Sequence, residues 1–303
     1  KAIRRQRQMC IRDRMSFREA FARSINIVAV RVGKRVGFDN VRATAEMMGI
    51  KSPLRPDKAN EDKPAMCLGS MDVNLLELVN GYGTVANYGK HIDPVLVTRI
   101  VKTNPDGTEE TIYNYEDEVD ANAAISARAA YFMQKMLGFG LTDGGGTSQS
   151  LTDYVDTYMN TTDFGGKTGT SNNYSDAWFV GTSPNLVAGA WVGGEYRCIH
   201  FTSGAQGQGS RTALPICGRF FQKVWGDSKL RPLVSAKYVG LSMPSSTLEC
   251  AEVEVERYDE PDTTFVIDDA DITTEGEGGE TPTETPPAAT PPAAEPIEPG
   301  QEM

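Results

Sequence analysis

Between Phe164 and Thr202 four short β-forming runs follow one another closely: Phe164–Ser171, Ala177–Thr182, Leu186–Val192 and Arg197–Thr202. The Ser183-Pro184-Asn185 link is far too short for a parallel crossover, so the middle two runs form an antiparallel hairpin. Helical spacing precedes this cluster and returns after it in Thr212–Trp225, despite Pro215 near the start of that segment. Helices, then short strands, then a closing helix exclude an alternating βαβ chain. The expected class is α+β, a mostly antiparallel sheet packed between helices.

Upstream, Phe17, Ala20 and Phe21 lead to Ser24, and Ile27, Val28 and Val30 follow it, so Ser24 falls between two helical stretches. Asp39 is placed to cap a segment with Val41, Ala45 and Met48 inward, closed by Gly49. Leu75, Leu78, Val79 and Tyr82 make another apolar face, ending near Gly89. Val95–Val101 is predicted as a strand, with a turn at Asn104-Pro105-Asp106-Gly107 into its partner. Ala121–Leu137 is predicted as a helix with Ile125, Ala129, Phe132 and Met136 inward, followed by a Gly-rich loop from Gly138 to Gly146.

Charge divides the chain. The net charge is −11, but residues 252–303 hold sixteen acids and one base, and residues 1–14 hold six bases and one acid. The near-neutral middle is therefore the part built to fold, and no nucleic-acid partner is expected from so acidic a chain. The run RQRQMCIRDR at 5–14 lacks periodicity and resembles translated sequencing-adapter DNA, so residues 1–14 are expected to be non-native; a basic surface segment continuing from an upstream domain is the plain alternative. Residues 15–235 are expected to form a partial domain, and the acidic, Pro- and Thr-rich residues 236–303 a largely disordered tail. No run of about eighteen apolar residues occurs, and the basic start is followed by neither an apolar stretch nor a small-residue cleavage site, so it is not expected to be a signal peptide. The five cysteines show no metal-ligand spacing, so neither metal nor cofactor is expected; Cys198 and Cys217 are left as a pair or as two buried thiols.

The chemistry concentrates in Gly165-Gly166-Lys167-Thr168-Gly169-Thr170 at the start of a strand. Small residues let a ligand backbone lie close, Lys167 brings a cation, and Thr168 and Thr170 bring hydroxyls, a set suited to a carboxylate. The spacing is not that of a phosphate loop, and the run continues as strand rather than helix. A solvated lysine where a strand begins is the plain alternative. Far upstream, Ser24-Ile25-Asn26 gives S-x-N, whose plain alternative is a helix-capping serine. Taken together and in this order, S-x-N and K-T-G are two of the three elements shared by penicillin-binding proteins and serine β-lactamases.

The surrounding stretches resemble the transpeptidase domain of class A penicillin-binding proteins, the bifunctional peptidoglycan synthases. Those stretches are residues 16–50, LGSMDVNLLELVNGYGTVANYGK within 68–100, GKTGTSNNYSDAWFVGTSPNLVAGAWVGG over 165–194, and SRTALPICGRFF over 210–221. The resemblance implies a serine acyl-enzyme made from a D-Ala-D-Ala stem peptide, attacked by the amine of a neighbouring peptide, and acylation by β-lactams. It assigns proton relay to Ser24, substrate hydrogen bonding to Asn26, and positive potential to Lys167. Thr168, Gly169 and Thr170 would receive the terminal carboxylate, and the Thr170 N–H would form half of an oxyanion hole. It also implies a cell-envelope location with an upstream membrane anchor and a glycosyltransferase domain, and cell-wall synthesis partners.

One element is missing. No serine in the chain has a lysine three residues on, so the S-x-x-K nucleophile and its lysine are absent, and the chain is expected to be inactive alone. A non-catalytic relative that binds peptidoglycan or a partner is the alternative. His91 and His200 lie far in sequence from any motif serine, which argues against a Ser-His-Asp hydrolase. The class A-like stretches argue against a β-lactamase or carboxypeptidase.

Overall fold

Hydrogen bonding across the predicted hairpin builds a three-stranded antiparallel sheet in the order β5-β6-β7: β5 Gly165–Thr170, β6 Asp176–Thr182 and β7 Val187–Gly193. The computed structural model describes residues 15–54, 63–117 and 121–240. The expected non-native segment at 1–14 lies outside the described residues, as does the expected tail of 236–303 beyond residue 240. The register is unbroken, with Thr168 opposite Phe179 and Phe179 opposite Ala190. The fourth run fails: Arg197–Thr202 forms turns and bends, with Ile199 56% exposed, because its apolar residues find no core to face.

One face of the sheet carries the core. Phe179 and Ala190 pack with Leu214, Cys217, Phe221 and Trp225 of a long amphipathic helix, Ala213–Gly226. The buried positions recur every three or four residues, so this helix has one apolar stripe and must lay it on the sheet. Pro215 is tolerated because it sits in the first turn, where no intrahelical N–H bond is needed. Trp225 Nε1 donates to Thr162 Oγ1 at 3.0 Å, so the buried indole is satisfied. Truncating Phe221 or Trp225 to Ala would cost about 3–5 kcal/mol. Cys217 is buried here and Cys198 is exposed, both as free thiols; they are neither a pair nor two buried thiols.

The other face meets a helix over Leu75–Ala86, capped by Asn74, whose Oδ1 accepts from the Leu76 N–H at 2.8 Å. Gly189 permits this approach, since a Cβ there would lie 2.4 Å from Val79 Cγ2. A further helix, Ala127–Thr142, flanks β5 and begins at Ser126, whose Oγ accepts from the Ala129 N–H. It starts six residues later than predicted, because Asn122–Ala123 (strand β4) pair with Lys90–His91 (strand β1) as a short two-stranded ladder. Its inner face is also rotated: Ala130, Gln134, Met136, Leu137 and Leu141 are buried, whereas Ala129 is exposed. Gly138 and Gly140 belong to this helix, so the Gly-rich loop shrinks to residues 143–146.

At the N-terminal side, three helices follow in succession: α1 Phe17–Ala22, α2 Asn26–Val36 and α3 Phe38–Met47. In chain order the helices of Lys63–Met66, Leu75–Ala86, Ala127–Thr142, Thr152–Val155, Gly204–Gly207, Ala213–Gly226 and Arg231–Val234 are then α4 to α10. Gly37 caps α3, and Asp39 lies inside its first turn rather than at the predicted cap. The predicted strand Val95–Val101 is displaced as well. Strand β2 is Arg99–Thr103, paired with β3 Glu109–Asn114 through the expected Asn104–Gly107 turn, while Leu96 is 92% exposed. After α10, residues 236–239 strap back onto the domain. The Asp163 N–H donates to Ala236 O, Lys237 Nζ and the Tyr238 N–H both reach the Asp163 carboxylate, and the Val239 N–H reaches the Tyr88 hydroxyl.

Candidate active site

Two distant segments meet at one hydrogen bond: Lys167 Nζ donates to Ser24 Oγ at 2.8 Å across 143 residues of sequence. Each partner is delivered by a specific local structure. Ser24 follows α1, where the Ser24 N–H bonds Phe21 O at 3.0 Å and the Ile25 N–H bonds Ala20 O at 2.9 Å. That pair of bonds is a Schellman ending, which requires its C′ residue to be left-handed. Glycine usually fills that place; here a serine holds it at φ 57°. The strained position aims a hydroxyl at Lys167.

Lys167 comes from β5, whose first residues approach α6 closely. A Cβ on Gly165 would lie 2.9 Å from Leu137 Cβ, and one on Gly166 would lie 2.6 Å from Phe179 Cζ. Glycine at both places seats the strand, and Ser148 Oγ then donates to Gly166 O at 3.0 Å. Lys167 Nζ also donates to Thr168 O at 2.8 Å. Burial pushes the Lys167 ammonium down to about 8, since desolvation penalises the charged form.

The remaining sequence-predicted residues share the same groove, a cavity of about 1790 Å³ lined by Ser24, Asn26, Thr147, Lys167, Thr170 and Arg211 among others. Asn26 is the first residue of α2, and its side chain is exposed to this space. Thr168 Oγ1 donates to Thr147 Oγ1 at 2.7 Å, and Thr170 Oγ1 accepts from the Gly209 N–H at 3.0 Å. Gly169 lies over Trp178, where a Cβ would come within 3.1 Å of Trp178 Cβ. The Ser171 N–H bonds Asp176 O, so the next pair, Thr170 and Ala177, is the non-hydrogen-bonded one. The Thr170 N–H therefore points away from β6, toward the outer edge of β5. Neither His91 nor His200 lines the groove.

Residues 2–192 match the family described as the penicillin binding protein transpeptidase domain. The chain belongs to that family. Similarity to penicillin-binding proteins 1A and 1B bears out the class A resemblance. The 1A protein of Aquifex aeolicus is 31% identical over 202 residues, covering 67% of this chain and 24% of that protein. The 1B protein of Haemophilus influenzae is 29% identical over 234 residues, covering 76% and 27%. The chain thus spans about a quarter of the length of these relatives. The crystal structure of penicillin-binding protein 1A from H. influenzae matches with a TM-score of 0.62 at 21% identity, over 75% of this chain and 36% of that one. Penicillin-binding protein 3 of Mycobacterium tuberculosis, complexed with aztreonam, matches with a TM-score of 0.53 at 17% identity, over 73% and 54%. Both likenesses show the shared fold.

Several groups of this transpeptidase domain escaped the sequence reading. Thr147 and Gly209, which hold the two threonines of K-T-G-T, carry no local signature beyond a run of glycines before Thr147 and a small residue at 209. Arg18 and Asp143, which join α1 to the end of α6, lie 125 residues apart and could not be paired from one sequence.

Proposed function

We propose that this chain carries the proton-relay and carboxylate-binding part of a serine D,D-transpeptidase site, acting on D-Ala-D-Ala stem peptides of peptidoglycan and on β-lactams. The observation that carries this reading is the Lys167–Ser24 hydrogen bond in a groove also lined by Asn26, Thr168 and Thr170. A lysine near 8 exchanges its proton at neutral to mildly alkaline pH, so Lys167 and Ser24 can pass a proton between a nucleophilic hydroxyl and a leaving amine. Thr168 and Thr170 offer hydroxyls to the terminal carboxylate, and Lys167 supplies the field that favours an anion there. The outward Thr170 N–H is oriented to stabilise a developing oxyanion, and Asn26 can hydrogen-bond the substrate backbone. The nucleophile, its lysine and the second oxyanion donor come from outside these 303 residues, since no S-x-x-K occurs in them. On this reading the whole protein is a class A synthase, with a glycosyltransferase domain and a membrane anchor, and this domain lies outside the cytoplasmic membrane among cell-wall synthesis partners.

The chain alone is expected to form no covalent adduct with fluorescent penicillin on denaturing gels. A chimera that places the S-x-x-K segment of the A. aeolicus 1A protein ahead of Met15 is expected to label. Lys167→Ala in that chimera should lower the labelling rate by about 10²–10³-fold, the size typical of losing an electrostatic group at the transition state. Serine labelling of the unmodified chain, or wild-type rates in the Lys167→Ala chimera, would overturn the reading.

A further inference from the structure

Helix α1 is six residues long, too short to persist by its own hydrogen bonds, yet its last turn sets where Ser24 points. Its outside anchors therefore fix the site. Arg18 Nε and Nη2 donate to the two Asp143 oxygens, both at 2.6 Å, a two-pronged fork that fixes orientation as well as distance. The same guanidinium lies 3.7 Å over the Phe139 ring, so it is gripped in the plane and from one side. Asp143 directly follows α6, against the negative end of the helix dipole, where a carboxylate is unfavourable without a cation. Hydrogen bonding to Arg18 holds that carboxylate below its usual range.

The loop that begins at Asp143 continues the connection. The Thr147 N–H donates to Ala22 O at 3.0 Å, two residues before Ser24, and Thr147 Oγ1 receives the Thr168 hydroxyl. Gln149 Nε2 donates to Asp143 O at 2.7 Å and closes the loop on itself. This ion pair thus stands behind both the Ser24 turn and the K-T-G threonine, alongside the Arg23 Nη2 bond to Gly144 O at 3.4 Å and the buried Ala20 and Ala22.

We propose that Arg18 and Asp143 are positioning residues, a clamp that holds α1 against α6 so that Ser24 stays on Lys167 and Thr147 stays on Thr168. Neither residue touches substrate in this assignment. It deepens the transpeptidase reading of the same groove but concerns a geometry that exists whether or not the chain turns over substrate.

The test is nuclear magnetic resonance on the unmodified chain with ¹³C-labelled lysine and serine. In the wild type a through-space cross-peak should join the Lys167 Cε protons to the Ser24 Cβ protons, assigned by its loss in Lys167→Gln. Arg18→Gln and Asp143→Asn are each expected to abolish that cross-peak, while the near-ultraviolet circular dichroism of the tryptophans is retained. With Ser24 displaced and water admitted, the Lys167 titration should also move upward from about 8. Arg18→Lys keeps the charge but loses the fork, and should retain the cross-peak at reduced intensity. An unchanged cross-peak in both single variants overturns the clamp. Collapse of the tryptophan signal in both also overturns it, because the pair would then support the whole fold rather than the site. Neither result bears on penicillin labelling of the chimera, so the two proposals fail separately.

Discussion

A left-handed serine is an unusual thing to leave at a helix end. For an L-residue the conformation costs about 1–2 kcal/mol, which glycine avoids. Ser24→Gly and Ser24→Ala both remove the hydroxyl that receives Lys167, and they differ mainly in this backbone cost. The glycine variant should therefore be about 1 kcal/mol more stable than the alanine variant in urea denaturation, with equal loss of the Lys167 contact. Lys167 has its own signature. Its ordinary value of 10.5 falls to about 8 in the fold, so between those values the unfolded chain binds more protons at this position. Stability from this group should rise with pH through that window and be lowest below pH 8. Comparing urea midpoints at pH 7.5 and 9.5 should show this rise, and Lys167→Met should reduce it. Lys167 and its threonines were legible in sequence because their chemistry is local. The strain at Ser24 was not, because a φ angle depends on the hydrogen bonds of a completed helix end.

At the level of elements, the two β-forming runs and the short link between them made the central hairpin legible; the structure adds Asp176 to the first strand and shifts the second by one residue, to Val187–Gly193. Val95–Val101 and Arg197–Thr202 misled for a shared reason. Both are short runs with strand-forming residues, yet Leu96 and Ile199 face solvent, and strand propensity without a face to bury is weak. Helix α6 was drawn too early because alanines at 121, 123 and 124 favour helix, whereas Asn122–Ala123 are held by pairing with Lys90–His91 and the helix waits for its Ser126 cap. The glycines of β5 can be tested directly. Gly166→Ala would press its methyl into Phe179, which is fully buried and surrounded by the Phe221 cluster. A loss of about 1–3 kcal/mol is expected in thermal or urea unfolding, the usual range for overpacking a core.

Across the whole molecule, the helix–sheet–helix order was readable from pattern alone, while the way its ends are tied was not. The strap at residues 236–239 depends on Asp163 and Tyr88, partners that lie more than seventy residues away. The same holds for the groove, whose walls come from α1–α3, α5, β5 and the loop before α9. The outer side of β7 raises a different matter. Among the described residues its outward N–H and C=O groups have no strand beside them, and Val187-Ala188-Gly189-Ala190-Trp191-Val192-Gly193 carries neither charge nor proline. Such an edge lacks the usual safeguards against intermolecular pairing. At high protein concentration, the first copies to meet through that edge could extend one another's sheets into a ribbon, so solubility of the isolated chain hinges on whatever strand reaches β7 first.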